Sequence, residues 1–225
     1  MSTKFLVLGD RTYEQPFCNL GEVLFDQSDF SKADVIVFTG GADVHPQVYG
    51  DKLGDFTFPD LHRDRQEHVL FEYALRDKKP MVGICRGAQL GCALSDGALI
   101  QHVTNHTNTD HDIITNDGRR MSVAGDHHQM MYPYDLPEAN YKLLAWADGL
   151  SDRYLNGSNA VHLGLDAYGE TKFPEPEAVY FTKTNFLAIQ WHPEWVEKGS
   201  ESWVYFYELL AKYTLNKGET NAHEV

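Results

Sequence analysis

Cysteine is scarce in this chain. Its 225 residues include only Cys18, Cys85 and Cys92. An odd, sparse set without spaced pairs argues against a disulfide framework and fits a reducing compartment. Basic residues are also few: 19 Lys and Arg stand against 33 Asp and Glu, for a formal net charge of −14. A surface that grips a phosphate backbone needs clustered Lys and Arg, so no nucleic-acid partner is expected. Long apolar runs are missing, which leaves no candidate membrane span. Met1 to Asp10 carries one Lys and a short apolar run. That run is too short for the core of a signal peptide and reads as a first strand. A soluble, cytoplasmic protein is the expectation. The chain also lacks a GxxxxGK phosphate loop and any internal repeat, so nothing in it suggests a nucleotide-driven synthetase of its own.

What is present is 42% hydrophobic residues, enough for a sizeable core and, at this length, for one α/β domain over residues 1–214. Lys4 to Leu8 and Ala33 to Thr39 are continuous apolar runs, as buried parallel strands are. The second ends in Gly40-Gly41. Gln15 to Phe25 is read as a helix. Asp60 to Asp77 reads as another, with Leu61, Val69, Phe71, Ala74 and Leu75 on its apolar face. Met121 to Ala124 and Tyr141 to Ala147 read as strands, and Ala178 to Thr182 with Asn185 to Trp191 as a hairpin. Leu150 to Pro176, rich in Gly, Asn, Asp and Pro, reads as a long loop of the kind that is often functional. Ser202 to Tyr213 is an amphipathic helix, and residues 215–225 should fray or be disordered. Strands alternating with helices, then a strand-rich second half, predict a three-layer α/β sandwich. Its central sheet should be mostly parallel, with an antiparallel extension.

The chemistry concentrates in Lys79-Pro80-Met81-Val82-Gly83-Ile84-Cys85-Arg86-Gly87-Ala88-Gln89-Leu90. A short apolar strand ends at a cysteine with glycines two positions to either side, and a helical pattern follows. This is the strand–nucleophile–helix elbow, with Cys in the place of Ser. A thiol at a helix N-terminus is also favoured as thiolate. The same residues fit a buried cysteine at a strand end. His192 follows an apolar strand end and Glu194 lies two residues on, so in extended backbone both point to one side. They suit a base and the carboxylate that orients it, although His192-Pro193-Glu194 also fits a simple turn. The backbone N–H groups of Arg86 and Gly41 are candidate oxyanion donors; a plain strand-to-helix turn would explain the same glycines.

These segments resemble the class I glutamine amidotransferase family, and within it the γ-glutamyl hydrolase branch that includes γ-glutamyl-γ-aminobutyrate hydrolases (peptidase C26-like). The resemblance rests on TGGADVHPQVYG from Thr39, KPMVGICRGAQL from Lys79 and AIQWHPEW from Ala188. RDRQEHVLFEYAL, GALIQH and DHHQ support it more weakly. It implies a flavodoxin-like sandwich and a catalytic triad of Cys85, His192 and Glu194. It also implies an oxyanion site from Gly41 and Arg86, and contacts from Gln89 and His127 to the glutamyl α-amino and α-carboxylate groups. The implied reaction is hydrolysis of a γ-glutamyl amide, glutamine or a γ-glutamyl amine, through a γ-glutamyl thioester, with no cofactor. Relatives usually carry Ser at the position of Gly125, Asn at that of Cys92 and Gly at that of Asp96.

Two other readings fit the same segments. A glutaminase of this kind can instead deliver ammonia to a synthetase on a separate partner chain, and a non-catalytic binding subunit could keep the same fold. His102, His106, His111, His127 and His128, with Asp110, Asp112 and Asp126, invite a metal site. Their spacing matches no zinc motif, so they are read as a polar rim of the active site and no metal is expected.

Overall fold

The computed structural model describes residues 2–156, 159–160 and 173–215. In chain order the strands and α-helices are β1 (Thr3–Leu8), β2 (Gly21–Leu24), β3 (Val35–Phe38), α1 (Leu61–Arg76), β4 (Met81–Ile84) and α2 (Arg86–Leu94). Then come β5 (Ala98–Ile100), β6 (His102–Val103), β7 (Thr109–Thr115), β8 (Arg120–Gly125), β9 (Met130–Tyr132) and β10 (Tyr141–Asp148). The chain continues through β11 (Tyr154–Asn156), β12 (Asn159–Ala160), β13 (Pro174–Phe181), β14 (Phe186–Ile189) and α3 (Glu201–Leu210), which runs on into a π-helical turn over Ala211–Leu215.

The main sheet has the order β2-β1-β3-β4-β14-β13-β10-β7-β8. Its first five strands are parallel and the rest extend it in antiparallel fashion. Because successive side chains of a strand point to opposite faces, β1 divides its apolar residues between two cores. Phe5 and Val7 pack with α3 through Phe206 and Leu210, while Leu6 and Leu8 pack with α1 and α2 through Phe71, Ala74 and Leu90. Helices on both faces of one sheet make the expected three-layer α/β sandwich. Among the described residues no helix is long and apolar enough to cross a membrane.

Several local expectations differ from the structure. Gln15 to Phe25 is not a helix. Its second half is β2, paired along β1, and a side chain at Gly21 would run into the Thr3 carbonyl. Helix α1 begins and ends as read, with the Asp60 carboxylate capping the Arg63 N–H at 3.0 Å. Val69 and Leu75, however, face solvent, and the helix buries Asp64 and Glu67 instead. The Leu150 to Pro176 stretch contains β11 and β12, and β13 starts at Pro174. Two prolines can sit there because β14 pairs β13 only from Ala178 onward, so that segment has one ladder neighbour. Residues 157–158, 161–172 and the tail from 216, with the expectations made for them, lie outside the described residues.

Candidate active site

Three adjacent parallel strands, β3, β4 and β14, end at one edge of the sheet, and each delivers one of the three principal motifs there. The carboxyl edge of such a sheet is where α/β proteins gather ligands. Cys85 follows β4 directly and caps α2, at φ 51° and ψ −111°. That left-handed backbone is costly for a residue with a Cβ, and close packing on both sides holds it. A side chain at Gly83 would strike the Gly87 carbonyl, and one at Gly87 would strike the Phe38 carbonyl. The two glycines are what the elbow requires. The thiol is 5% exposed and lies 3.8 Å from the Asp126 carbonyl.

His192 and Glu194 arrive just beyond β14. The Nδ1 of His192 is 2.7 Å from Glu194 Oε1, with both side chains buried. A carboxylate accepts, so this nitrogen carries the proton and Nε2 is left for Cys85. Burial pushes the imidazole down, but the neighbouring Cys85 sulfur and the Glu194 carboxylate outweigh it and hold His192 up at about 10. Two residues not singled out from sequence complete the surroundings. The Trp195 indole stacks on the His192 ring, with centroids 3.8 Å apart and planes within 8°. The Tyr13 ring lies 6.5 Å from that of His192, and burial together with the charges of Glu194 and Cys85 keeps its phenol protonated.

The Gly40-Gly41 turn is locked from behind. Arg63 donates from Nη1 to the Gly40 carbonyl at 2.8 Å and from Nη2 to the Thr39 carbonyl at 3.0 Å. Its Nε donates to Glu67 at 2.7 Å. Glu67 also pairs with Arg86, and Arg86 with Asp64, all buried. The Asp64 carboxylate accepts from the His45 N–H at 2.9 Å. The 40–41 peptide is trans, so with its carbonyl turned to Arg63 its N–H points the opposite way. Gly41 lines the cavity that opens on Cys85, about 350 Å³ in volume, whose walls also include Gln89, Thr107, His127 and His128.

The structure therefore brings Cys85, His192, Glu194, Gly41, Arg86, Gln89 and His127 to one site. Gln89 and His127 are already engaged there: Gln89 Nε2 donates to the Gln129 carbonyl at 2.6 Å, and His127 Nδ1 donates to the same oxygen at 3.0 Å. The expected histidine rim divides in two. His102 and His128 stay at the mouth, where the Asp43 carboxylate raises His128. His106, His111 and His127 are buried, packed around Glu175 and Glu177 of β13. Those two glutamates escaped the sequence reading because they stand among prolines. Gly125 also has its reason here: a Cβ would lie 2.7 Å from the His111 ring.

Residues 26–136 match the family model described as Peptidase C26. A glutamine amidotransferase-like protein of Lactococcus lactis, YvdE, is 30% identical over 190 residues, covering 81% of this chain and 75% of its own length. Among solved structures, a glutamine amidotransferase from Thermotoga maritima superposes with a TM-score of 0.56 at 15% identity, over 94% of this chain and 86% of its own. The glutaminase domain of Trypanosoma brucei CTPS with bound acivicin gives 0.58 at 13%, over 95% and 97%. At those identities the two structures speak to the fold alone. The curated relative, the motif-bearing strands and the shared architecture together establish that this chain belongs to the class I glutamine amidotransferase-like family.

Proposed function

We propose that this chain is a cysteine-dependent hydrolase of γ-glutamyl amides. The observation that carries the reading is a strained Cys85 elbow that opens on a cavity and has a buried, hydrogen-bonded His192–Glu194 pair beside its sulfur. The Cys85 sulfur attacks the amide carbon, and the carbonyl electrons move onto oxygen. The N–H groups of Gly41 and Arg86 stabilise that oxyanion. Collapse breaks the C–N bond while His192 gives its proton to the departing nitrogen. Water then attacks the thioester carbon, His192 takes its proton, and the C–S bond breaks to release the γ-carboxyl group. The sum is amide plus water to carboxylate plus ammonia or amine.

Gln89 and the His127 segment stand on the cavity wall where the α-amino and α-carboxylate groups of the glutamyl half would be read, while the His127 ring itself is turned to the Gln129 carbonyl. Arg63 acts as a positioning residue, since its bonds to the Thr39 and Gly40 carbonyls keep the Gly41 N–H turned away from it before substrate arrives. A preformed oxyanion site and an accessible cavity favour a free-standing hydrolase over an ammonia-donating subunit, which characteristically waits for its partner. The test is product release by the purified chain across a panel of γ-glutamyl amides that includes free glutamine. Turnover of a substituted amide above glutamine supports the reading. Silence on the whole panel, relieved by a co-purifying synthetase, would assign the chain to ammonia delivery instead.

A further inference from the structure

Behind the wall of the cavity that opens on Cys85, the His127 ring joins a buried cluster whose inward-facing atoms the reaction above does not use. We infer that His106, His127 and Glu177 form a site for a single divalent first-row transition ion. The ligand atoms of the three residues all lie within 4.8 Å of one another. His106 Nδ1 and His127 Nε2 are each 3.6 Å from Glu177 Oε1. That is too long for a hydrogen bond. It suits two ligands of one ion, because bonds of about 2.0–2.2 Å at tetrahedral angles set ligand atoms ~3.3–3.6 Å apart.

The outer partners fix which electrons face inward. His127 Nδ1 meets the Gln129 carbonyl at 3.0 Å, and that oxygen can only accept. His106 Nε2 meets Glu175 at 3.0 Å. Glu175 also accepts from the Leu150 and Ser151 N–H groups and the Tyr154 hydroxyl, as an ionised carboxylate does. Each imidazole thus spends its N–H outward, and the inward nitrogen of a neutral ring is a lone pair. The two rings lie side by side, with centroids 4.5 Å apart. His106 Nδ1, His127 Nε2 and Glu177 Oε2 are buried and make no hydrogen bond among the described residues. His111 Nε2 lies 3.0 Å from the same Glu177 Oε1 and orients the carboxylate, leaving Oε2 free to turn toward an ion. Two imidazoles and a carboxylate, each oriented by an outer acceptor or donor, constitute a metal-ligand set with its supporting shell. The two glutamates bring two negative charges into this interior. Among the described residues their ion-pair partners are histidines only, an interior in which a cation is favoured.

Such an ion would tie the loop before β7, which carries His106, and the segment after β8, which carries His127, to β13. It would therefore brace the cavity wall rather than join the chemistry. The spacing that matched no sequence motif is explained by this: the ligands come from three separate segments. The test uses the Cys85→Ala protein, untagged and purified without chelator, so that the thiol cannot account for bound metal. Elemental analysis should find close to one transition ion per chain. Stripping with a chelator should lower Tm by several degrees, and one equivalent of zinc should restore it. His106→Ala and Glu177→Gln should lose both the ion and the zinc response, while His128→Ala at the mouth keeps them. A cobalt titration of the stripped protein, read by visible absorption, decides the matter even if those variants fail to fold. Absence of any ion together with no response to zinc or cobalt overturns the assignment. So does an ion that His106→Ala and Glu177→Gln both retain.

Discussion

Replacing Glu194 by Gln removes one charge from the best-defined contact in the candidate active site. In the wild type the Glu194 carboxylate and the Cys85 sulfur hold His192 up at about 10, against the downward push of burial. Below that value His192 carries the proton that the leaving nitrogen needs. Above it the imidazole is neutral and acylation slows. The alkaline limb of kcat/KM should therefore fall near pH 10. A hydrogen bond to a charged group contributes about 1.5–3 kcal/mol. At about 1.4 kcal/mol per pKa unit, its loss moves the alkaline limb down by roughly 1–2 pH units. The neutral amide keeps the same shape and can still hold the ring, so rates near pH 7 should fall less than in His192→Asn. The assay is continuous amine release from a chromogenic γ-glutamyl anilide between pH 6 and 10.5, with Tm recorded at each pH to exclude unfolding. A Glu194→Gln profile whose alkaline limb coincides with that of the wild type would refute the argument, because Glu194 would then contribute nothing to the protonation of His192.

Cys85→Ala should abolish turnover with Tm little changed, and a glutamine-analogue electrophile should label the wild type at Cys85 and not at exposed Cys18 or fully buried Cys92; mass spectrometry of the labelled peptide checks this. Arg63→Met should lower kcat by about 10²–10³, the loss associated with one oxyanion donor, with KM little changed; steady-state kinetics that show wild-type kcat would remove Arg63 from the oxyanion turn. Gly87→Ala should destabilise the fold by about 1–3 kcal/mol or more, as overpacking does, because its Cβ meets a main-chain carbonyl that cannot rotate away; urea midpoints measure it.

The sequence alone disclosed the parts whose pattern is local. An apolar strand, a cysteine and two glycines at fixed spacing define the elbow, because the strained turn at Cys85 admits no bulk at Gly83 or Gly87. His192 and Glu194 were legible for the same reason: they sit two apart in extended backbone and meet through one short hydrogen bond. The order of strands and helices also followed from runs of apolar residues. What stayed hidden depended on neighbours distant in the chain. Gln15 to Phe25 has no strong helical pattern, and only pairing with β1 makes its second half a strand. Asp64 and Glu67 look like the solvent face of α1, and they are buried because Arg63 and Arg86 neutralise them there. Tyr13 and Trp195 reach His192 by packing that no spacing encodes. His106, His127 and Glu177 come from separate segments, the last two 50 positions apart, and only the antiparallel half of the sheet turns their polar atoms toward one point. Local spacing thus determined the Cys85 elbow and the His192–Glu194 pair, while the tertiary structure decided which buried charges surround them, since a charge can leave water only where a partner from elsewhere in the fold is waiting.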